Sequence, residues 1–256
     1  MDDPSCTPDV IVRPFRDSRE MEICVSLQRR VWEYDDIDVV PGPIFVVAAK
    51  TGGQVIGAFR ANHAVGFALS FPAIRETRVH LFSHMVAVLP EFQDIGVGRR
   101  LKLAQRDHAI ARGIDLIEWT FDPLQIKNAH FNIAKLGAIV RKYLPNLYGL
   151  TSSPLHAGLP TDRVVAEWWV RSQHVKDVLE GRSRMDREPS ERISVPSSIR
   201  EVCLRDPEQA TSMQSRLRQD FERCFAKGLA ATGFELAQDH ASYVMDAGSI
   251  EEPGKM

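Results

Sequence analysis

The stretch with the most chemical content runs Val86-Ala87-Val88-Leu89-Pro90-Glu91-Phe92-Gln93-Asp94-Ile95-Gly96-Val97-Gly98-Arg99-Arg100-Leu101. An apolar run stops at a proline, a short segment with two glycines follows, and a helix-forming segment begins. Main-chain N–H groups at a helix start have no partner inside the helix and lie at the positive end of its dipole. The amides of Gln93, Asp94, Ile95, Gly96, Val97 and Gly98 are therefore a candidate anion seat. Glycine at 96 and 98 lets an oxygen-rich group come close to the backbone. Arg99, Arg100 and Lys102 would add positive charge around it. The plain alternative is a tight strand-to-helix turn. Two phosphate motifs are excluded: no Gly-x-x-x-x-Gly-Lys-[Ser/Thr] string occurs, and no third glycine completes a dinucleotide fingerprint.

His84 stands four residues before Val88 on the same apolar run. A neutral imidazole is well matched to accepting a proton near pH 7. Strict strand alternation would place His80, Phe82, His84 and Val86 on one face. The competing reading of His84 is a hydrogen-bonded core residue. Tyr143 and Tyr148 offer phenols, although each is equally a packed aromatic with its hydroxyl at the surface. Asn128 and Asn132 are one helical turn apart, which predicts a shared face. Asn128 would alternatively cap that helix. Asp122 before Pro123 reads first as a turn residue. Arg141, Lys142 and Arg163 read as solvated charges, with carboxylate binding as the alternative. Trp168 and Trp169 read as core or interface.

The elements that would hold these residues follow from periodicity and breakers. A strand over 11–15 precedes a helix capped at Ser18, with apolar positions Ile23, Leu27 and Val31. Residues 44–50 favour a short helix, closed by Gly52-Gly53. Segments 54–60 and 64–71 form a hairpin, and 79–89 is a long strand ended by Pro90. A helix over 99–112 carries the stripe Leu101, Ala104, Gln105, His108 and Ala111. A strand over 115–121, a helix over 128–136 and strands over 139–148 and 164–171 complete the main unit. Residues 181–198 are charged and serine-rich and read as exposed. A helix over 207–227 and short strands over 233–236 and 243–246 end the chain.

Bulk properties narrow the class. The chain has 256 residues, 44% hydrophobic, with a net charge of −2. That is enough for one large core or one core with an appended unit. The interspersed charge argues against nucleic acid as a partner. No apolar run reaches the length of a membrane span. Residues Met1 to Val12 are acidic and do not resemble a signal peptide, so a cytoplasmic location is expected, with Cys6, Cys24, Cys203 and Cys224 as reduced thiols. The cysteine spacings fit no zinc pattern. A homodimer is compatible with the sequence, which does not fix the oligomeric state.

The full glycine-loop string resembles motif A of the GNAT superfamily of N-acyltransferases: Val88-Leu89-Pro90, then Gln93-Asp94-Ile95-Gly96-Val97-Gly98. The order of elements over residues 11 to about 172 is similar as well. The resemblance implies an α/β (α+β) fold, with a twisted, mixed, largely antiparallel sheet flanked by helices and a small C-terminal α/β appendage. It suggests an acyl-CoA-binding domain at 10–173, a linker at 174–198, and a helix plus hairpin at 199–256. It implies that the loop amides and Arg99 take a pyrophosphate, that Val86 and Val88 face the pantetheine arm, and that Asn128 or Asn132 contacts the ligand. His84 would be the base. The superfamily's usual tyrosine acid falls at Ile133 here, which leaves Tyr148 as the candidate acid. Further strings resemble a less characterised branch: Ser83-His84-Met85, Leu101-Lys102, Gln105-Arg106, Trp119-Thr120-Phe121-Asp122-Pro123-Leu124, Asn128-Ala129, Asn132, Leu136-Gly137-Ala138, Tyr148-Gly149 and Asp162-Arg163. Some relatives are linked to N-succinylation of amino acids. The implied cosubstrate is acetyl-CoA or succinyl-CoA, and the implied acceptor is a small-molecule amine or an amino acid. A GNAT-like acyl-CoA sensor without turnover is the alternative.

Overall fold

A computed structural model describes residues 9–33, 36–149, 159–182, 188–196, 202, 205–238 and 240–247. Cys6, Cys203 and parts of the segment read as a linker lie outside them; Cys24 and Cys224 are buried free thiols. The chain forms two compact units that divide at 117/118.

The first unit is an antiparallel meander of β1 (Val10–Pro14), β2 (Gln54–Arg60), β3 (His63–Arg75) and β4 (Arg78–Val88), in that spatial order. Helices α1 (Ser18–Trp32) and α2 (Gly42–Lys50) lie between β1 and β2 in sequence. The cap of α1 is Asp17, whose carboxylate accepts from the Glu20 amide at 3.0 Å, and not Ser18 as the sequence suggested. Aspartate wins because a carboxylate there meets both the free amides and the positive end of the dipole. Phe67 of β3 is fully buried and meets Trp32 and Phe45 edge-on at 6.4 and 5.5 Å. This aromatic cluster fixes α1 and α2 on one face of the meander.

The other face receives α3 (Val97–Ala111), which follows β4 through a short 3₁₀ turn at Pro90–Phe92. The buried positions of α3 are Val97, Leu101, Lys102, Gln105 and Ala109. The stripe is thus rotated from the one read in the sequence, and it takes a lysine inward. Gly66 of β3 is required by close approach: a Cβ there would lie 2.6 Å from the Ala87 carbonyl oxygen. The vacated space is filled by Val88 and Leu101 side chains, so α3 sits low on the sheet.

In the second unit the strands run in the order β5 (Leu116–Phe121), β7 (Arg163–Trp169), β6 (Ile139–Leu144), β9 (Leu229–Leu236), β10 (His240–Ala247), β8 (Glu191–Pro196). The division falls inside β5. Helix α4 (Ile126–Ala129) continues into a π-helical turn at His130–Lys135; α5 spans Gln173–Leu179 and α6 spans Pro207–Ala226. The segment 174–198 therefore includes regular structure. Ser172 caps α5 by accepting from the Val175 amide, and β8 pairs antiparallel with β10. The C-terminal hairpin does not stand apart: β9 meets β6 at Val140 and Ala231 and continues its sheet. Capping an edge strand in this way removes a row of unpaired backbone groups.

Candidate functional site

The glycine loop is built as its sequence requires. Gly96 is the N-cap of α3 and takes φ 85°, a left-handed conformation that side chains disfavour. A Cβ on Gly96 would meet nothing within 4 Å, so the space over the helix start is open. The first α3 bond runs from the Arg100 amide to the Gly96 oxygen at 3.1 Å, which leaves the Val97 and Gly98 amides without helical partners. Gln93 to Gly96 are exposed, and Arg99 and Arg100 are half-buried beside them. Gln93 has a structural task as well: its Nε2 donates to the Val88 oxygen at 2.8 Å and ties the loop back to β4. The space over this helix start is thus open and flanked by two arginines. Lys102 does not contribute to its charge. Only 2% of Lys102 is exposed, and Nζ donates to Ser83 Oγ at 3.1 Å on the sheet side of the helix.

His84 lies at a β-bulge. Leu69 pairs with Met85 and Ser70 with Ser83, so His84 has no cross-strand partner. A bulge residue interrupts the alternation of side chains. Ser83, Val86 and Val88 consequently face α3, whereas the His84 ring lies 5.7 Å from that of Phe71 on the opposite face. The shared face read for His84 and Val86 is thus corrected. His84 is exposed at the surface. Crowding by its neighbours still disfavours the charged ring and lowers its pKa from the usual imidazole value. That environment favours the neutral ring, the form able to accept a proton.

In the second unit, Asn128 is exposed while Asn132 is 5% exposed. The π turn between them changes the angular step, so the shared face expected from α-helical spacing is lost. The Asn132 side-chain amide has no hydrogen-bond partner among the described residues. Asn128 caps nothing, since the N-cap of α4 is Gln125. Tyr148 is 47% exposed; its hydroxyl lies 2.9 Å from Thr120 Oγ1, and Arg163 sits over its ring at 5.4 Å. Tyr143 is unsuited to acid chemistry. It is buried, its hydroxyl donates to Asp162 at 2.7 Å, and burial together with that carboxylate raises its pKa. Asp122 accepts from the Leu124 amide at 2.9 Å, the turn role expected of it, and burial raises its pKa. Ile133 is buried. Trp168 and Trp169 are core residues, and Arg141 pairs with Glu167 at 2.9 Å.

Residues 13–137 match the model of the Acetyltransferase (GNAT) family. Over that span the chain is similar to the GNAT acetyltransferases. Solved structures agree on the fold. The ribosomal-protein-S18-alanine N-acetyltransferase of Escherichia coli is 13% identical with a TM-score of 0.51, covering 63% of this chain and 94% of that one. The yncA protein of Salmonella typhimurium, solved with acetyl-CoA, is 16% identical with a TM-score of 0.51, over 63% and 94%. A GNAT-family acetyltransferase of Streptococcus pneumoniae is 14% identical with a TM-score of 0.50, over 62% and 98%. No curated protein matches the chain. The loop 93–98 lies inside the matched span, as do His84 and both asparagines. Tyr148 and the C-terminal extension lie beyond it.

Proposed function

We propose that this GNAT domain transfers an acyl group from acyl-CoA to a primary amine. The observation that carries the reading is the open helix start at Gly96, whose first amides have no partner within the helix, together with its flanking arginines. The amides of Asp94 to Gly98, with Arg99, hold the diphosphate, whereas the Gln93 amide already donates to the Pro90 oxygen at 3.2 Å; Val86 and Val88 offer backbone toward the pantetheine, and Asn132 offers its side-chain amide to the same ligand. Asn128 reaches solvent and contacts ligand only at its margin. Acyl-CoA supplies the activated acyl group as a thioester. His84 takes the proton that the acceptor ammonium must lose before its nitrogen can attack. As the C–S bond breaks, Tyr148, beside Thr120, gives a proton to the departing thiolate and regains one from the nitrogen that has attacked. The donor is acetyl-CoA or succinyl-CoA, the acceptor a small amine or amino acid, and the setting cytoplasmic. A homodimer belongs to the same reading.

Gly96→Glu tests the carrying observation. The new carboxylate enters the open space above the helix start and repels a diphosphate, and a side chain at φ 85° adds strain. Calorimetric titration with CoA should show binding to the parent chain and none to the variant. Full affinity in the variant would place the diphosphate elsewhere. A thiol-release assay over a panel of amines then separates an enzyme from a sensor.

A further inference from the structure

A lysine enclosed in the core of the first unit is unexpected, since lysine is among the residues least often buried without a partner. Lys102 belongs to a chain of buried polar groups. Its Nζ donates to Ser83 Oγ at 3.1 Å, and Ser83 Oγ donates to Gln105 Oε1 at 3.0 Å. Gln54 Nε2 donates to the Gln105 main-chain oxygen at 3.0 Å, and Ser70 Oγ donates to Gln54 Oε1 at 3.1 Å. Every member is buried. Ser70 and Ser83 are cross-strand partners, and theirs is the last regular pair before the bulge.

This arrangement explains why the bulge exists. The polar chain requires Ser83 to face α3. Three residues later Val86 faces α3 too, in line with Val88, which packs against Leu101 around Gly66. Alternation allows a shared face at separations of two or four, never three. One residue must leave the ladder between the two anchors, and that residue is His84. Slipping the strand by one to remove the bulge would bring Phe82 or His84 into the polar chain in place of Ser83.

We infer that Lys102 is a positioning residue for His84: by holding Ser83 against α3 it fixes the bulge, and the bulge sets where the imidazole projects. Because α3 also carries the glycine loop at its start, the same helix seats the anion and aims the candidate base. Burial pushes the Lys102 amine well below the usual lysine pKa. Charged or neutral, it keeps an N–H to donate to Ser83. The inference rests on His84 acting as base in the function proposed above, but its structural half is measurable without turnover.

The test uses Lys102→Met, which keeps length and removes the donor, and Ser83→Ala, a milder change that removes only the hydroxyl. Ring ¹H–¹³C signals of His84 are compared with those of the parent chain, alongside kcat and CoA affinity. Both variants should move the His84 signals and lower kcat on the order of 10- to 100-fold, as a misplaced group does, with CoA affinity held. In a His84→Ala background Lys102→Met should cost nothing further, because the two residues act as one unit. Unmoved His84 signals in Ser83→Ala overturn the inference, and so does an equal loss of kcat from Lys102→Met in both backgrounds. If His84→Ala alone leaves turnover intact, the base assignment fails, while the ring signals still decide whether Lys102 positions the side chain.

Discussion

A base is useful only if it is unprotonated when substrate arrives, and the surroundings of His84 favour that state. Crowding against neighbours such as Phe71 penalises the imidazolium, so the pKa is lowered. With the folded value below the unfolded one, the unfolded chain takes up the proton first as pH falls. The neutral ring, and the stability that goes with it, is kept above the ordinary imidazole value and lost as pH drops through the lower folded one. The acid limb of kcat/KM should therefore lie below the ordinary imidazole value. His84→Ala should abolish that limb and reduce kcat by about 10²- to 10⁴-fold, with CoA affinity unchanged. A pH–rate series on both proteins checks this; a limb that survives the substitution would assign it to another group.

At the scale of single elements, β4 shows where sequence reading succeeds and where it stops. The strand, the proline that ends it and the glycine loop after it are local signals, and all three were legible. The bulge was not, because it depends on Ser70 across the strand and Gln105 on a later helix. Lys102 was misplaced for a related reason: a lysine next to a cationic loop reads as part of the loop's charge until its buried partner is known. The same blindness hid β8, whose charged sequence becomes a strand only through β10, more than 40 residues on in the chain. Asn128 and Asn132 were assigned one face by α-helical geometry, which the π turn does not obey. The bulge makes a sharp prediction for the element itself. Deleting His84 leaves Ser83 and Met85 adjacent, opposite Ser70 and Leu69, which are already adjacent. The ladder then runs regularly and every other side chain keeps its face. Deleting Leu81, buried in the same strand, instead flips one half of β4 and should cost more than about 3 kcal/mol. Urea denaturation should find the His84 deletion close to the parent in stability and without turnover, and the Leu81 deletion severely destabilised. Equal damage from the two would show that no bulge is present at 84.

At the scale of the molecule, the C-terminal extension is joined to its own unit by specific polar contacts as well as by packing. Tyr243 is fully buried between Phe221 and Phe234, and its hydroxyl donates to the Pro123 oxygen at 2.7 Å, just after β5. Arg218 of α6 reaches Asp162 ahead of β7 in a bidentate pair, with its closest contact at 2.7 Å. Asp162 also accepts from Tyr143 and from the Asn146 amide, so one carboxylate links the extension, β6 and the turn that leads to Tyr148. The two partners differ in burial: the Asp162 side chain is 0% exposed and that of Arg218 is 31% exposed. Removing either member should therefore cost unequal amounts. Arg218→Met strands an anion in the interior, for which about 2–4 kcal/mol is expected, somewhat below the loss from a wholly buried pair. Asp162→Asn strands a cation that can still hydrate and keeps an acceptor for Tyr143, so its cost should be smaller. The double variant should be more stable than Arg218→Met alone, because it no longer buries a lone charge. Denaturation of the three variants checks the order. If Asp162→Asn proved the more damaging single change, the carboxylate would be stabilised chiefly by Tyr143 and the Asn146 amide, and the extension would be held by its aromatic cluster rather than by this pair.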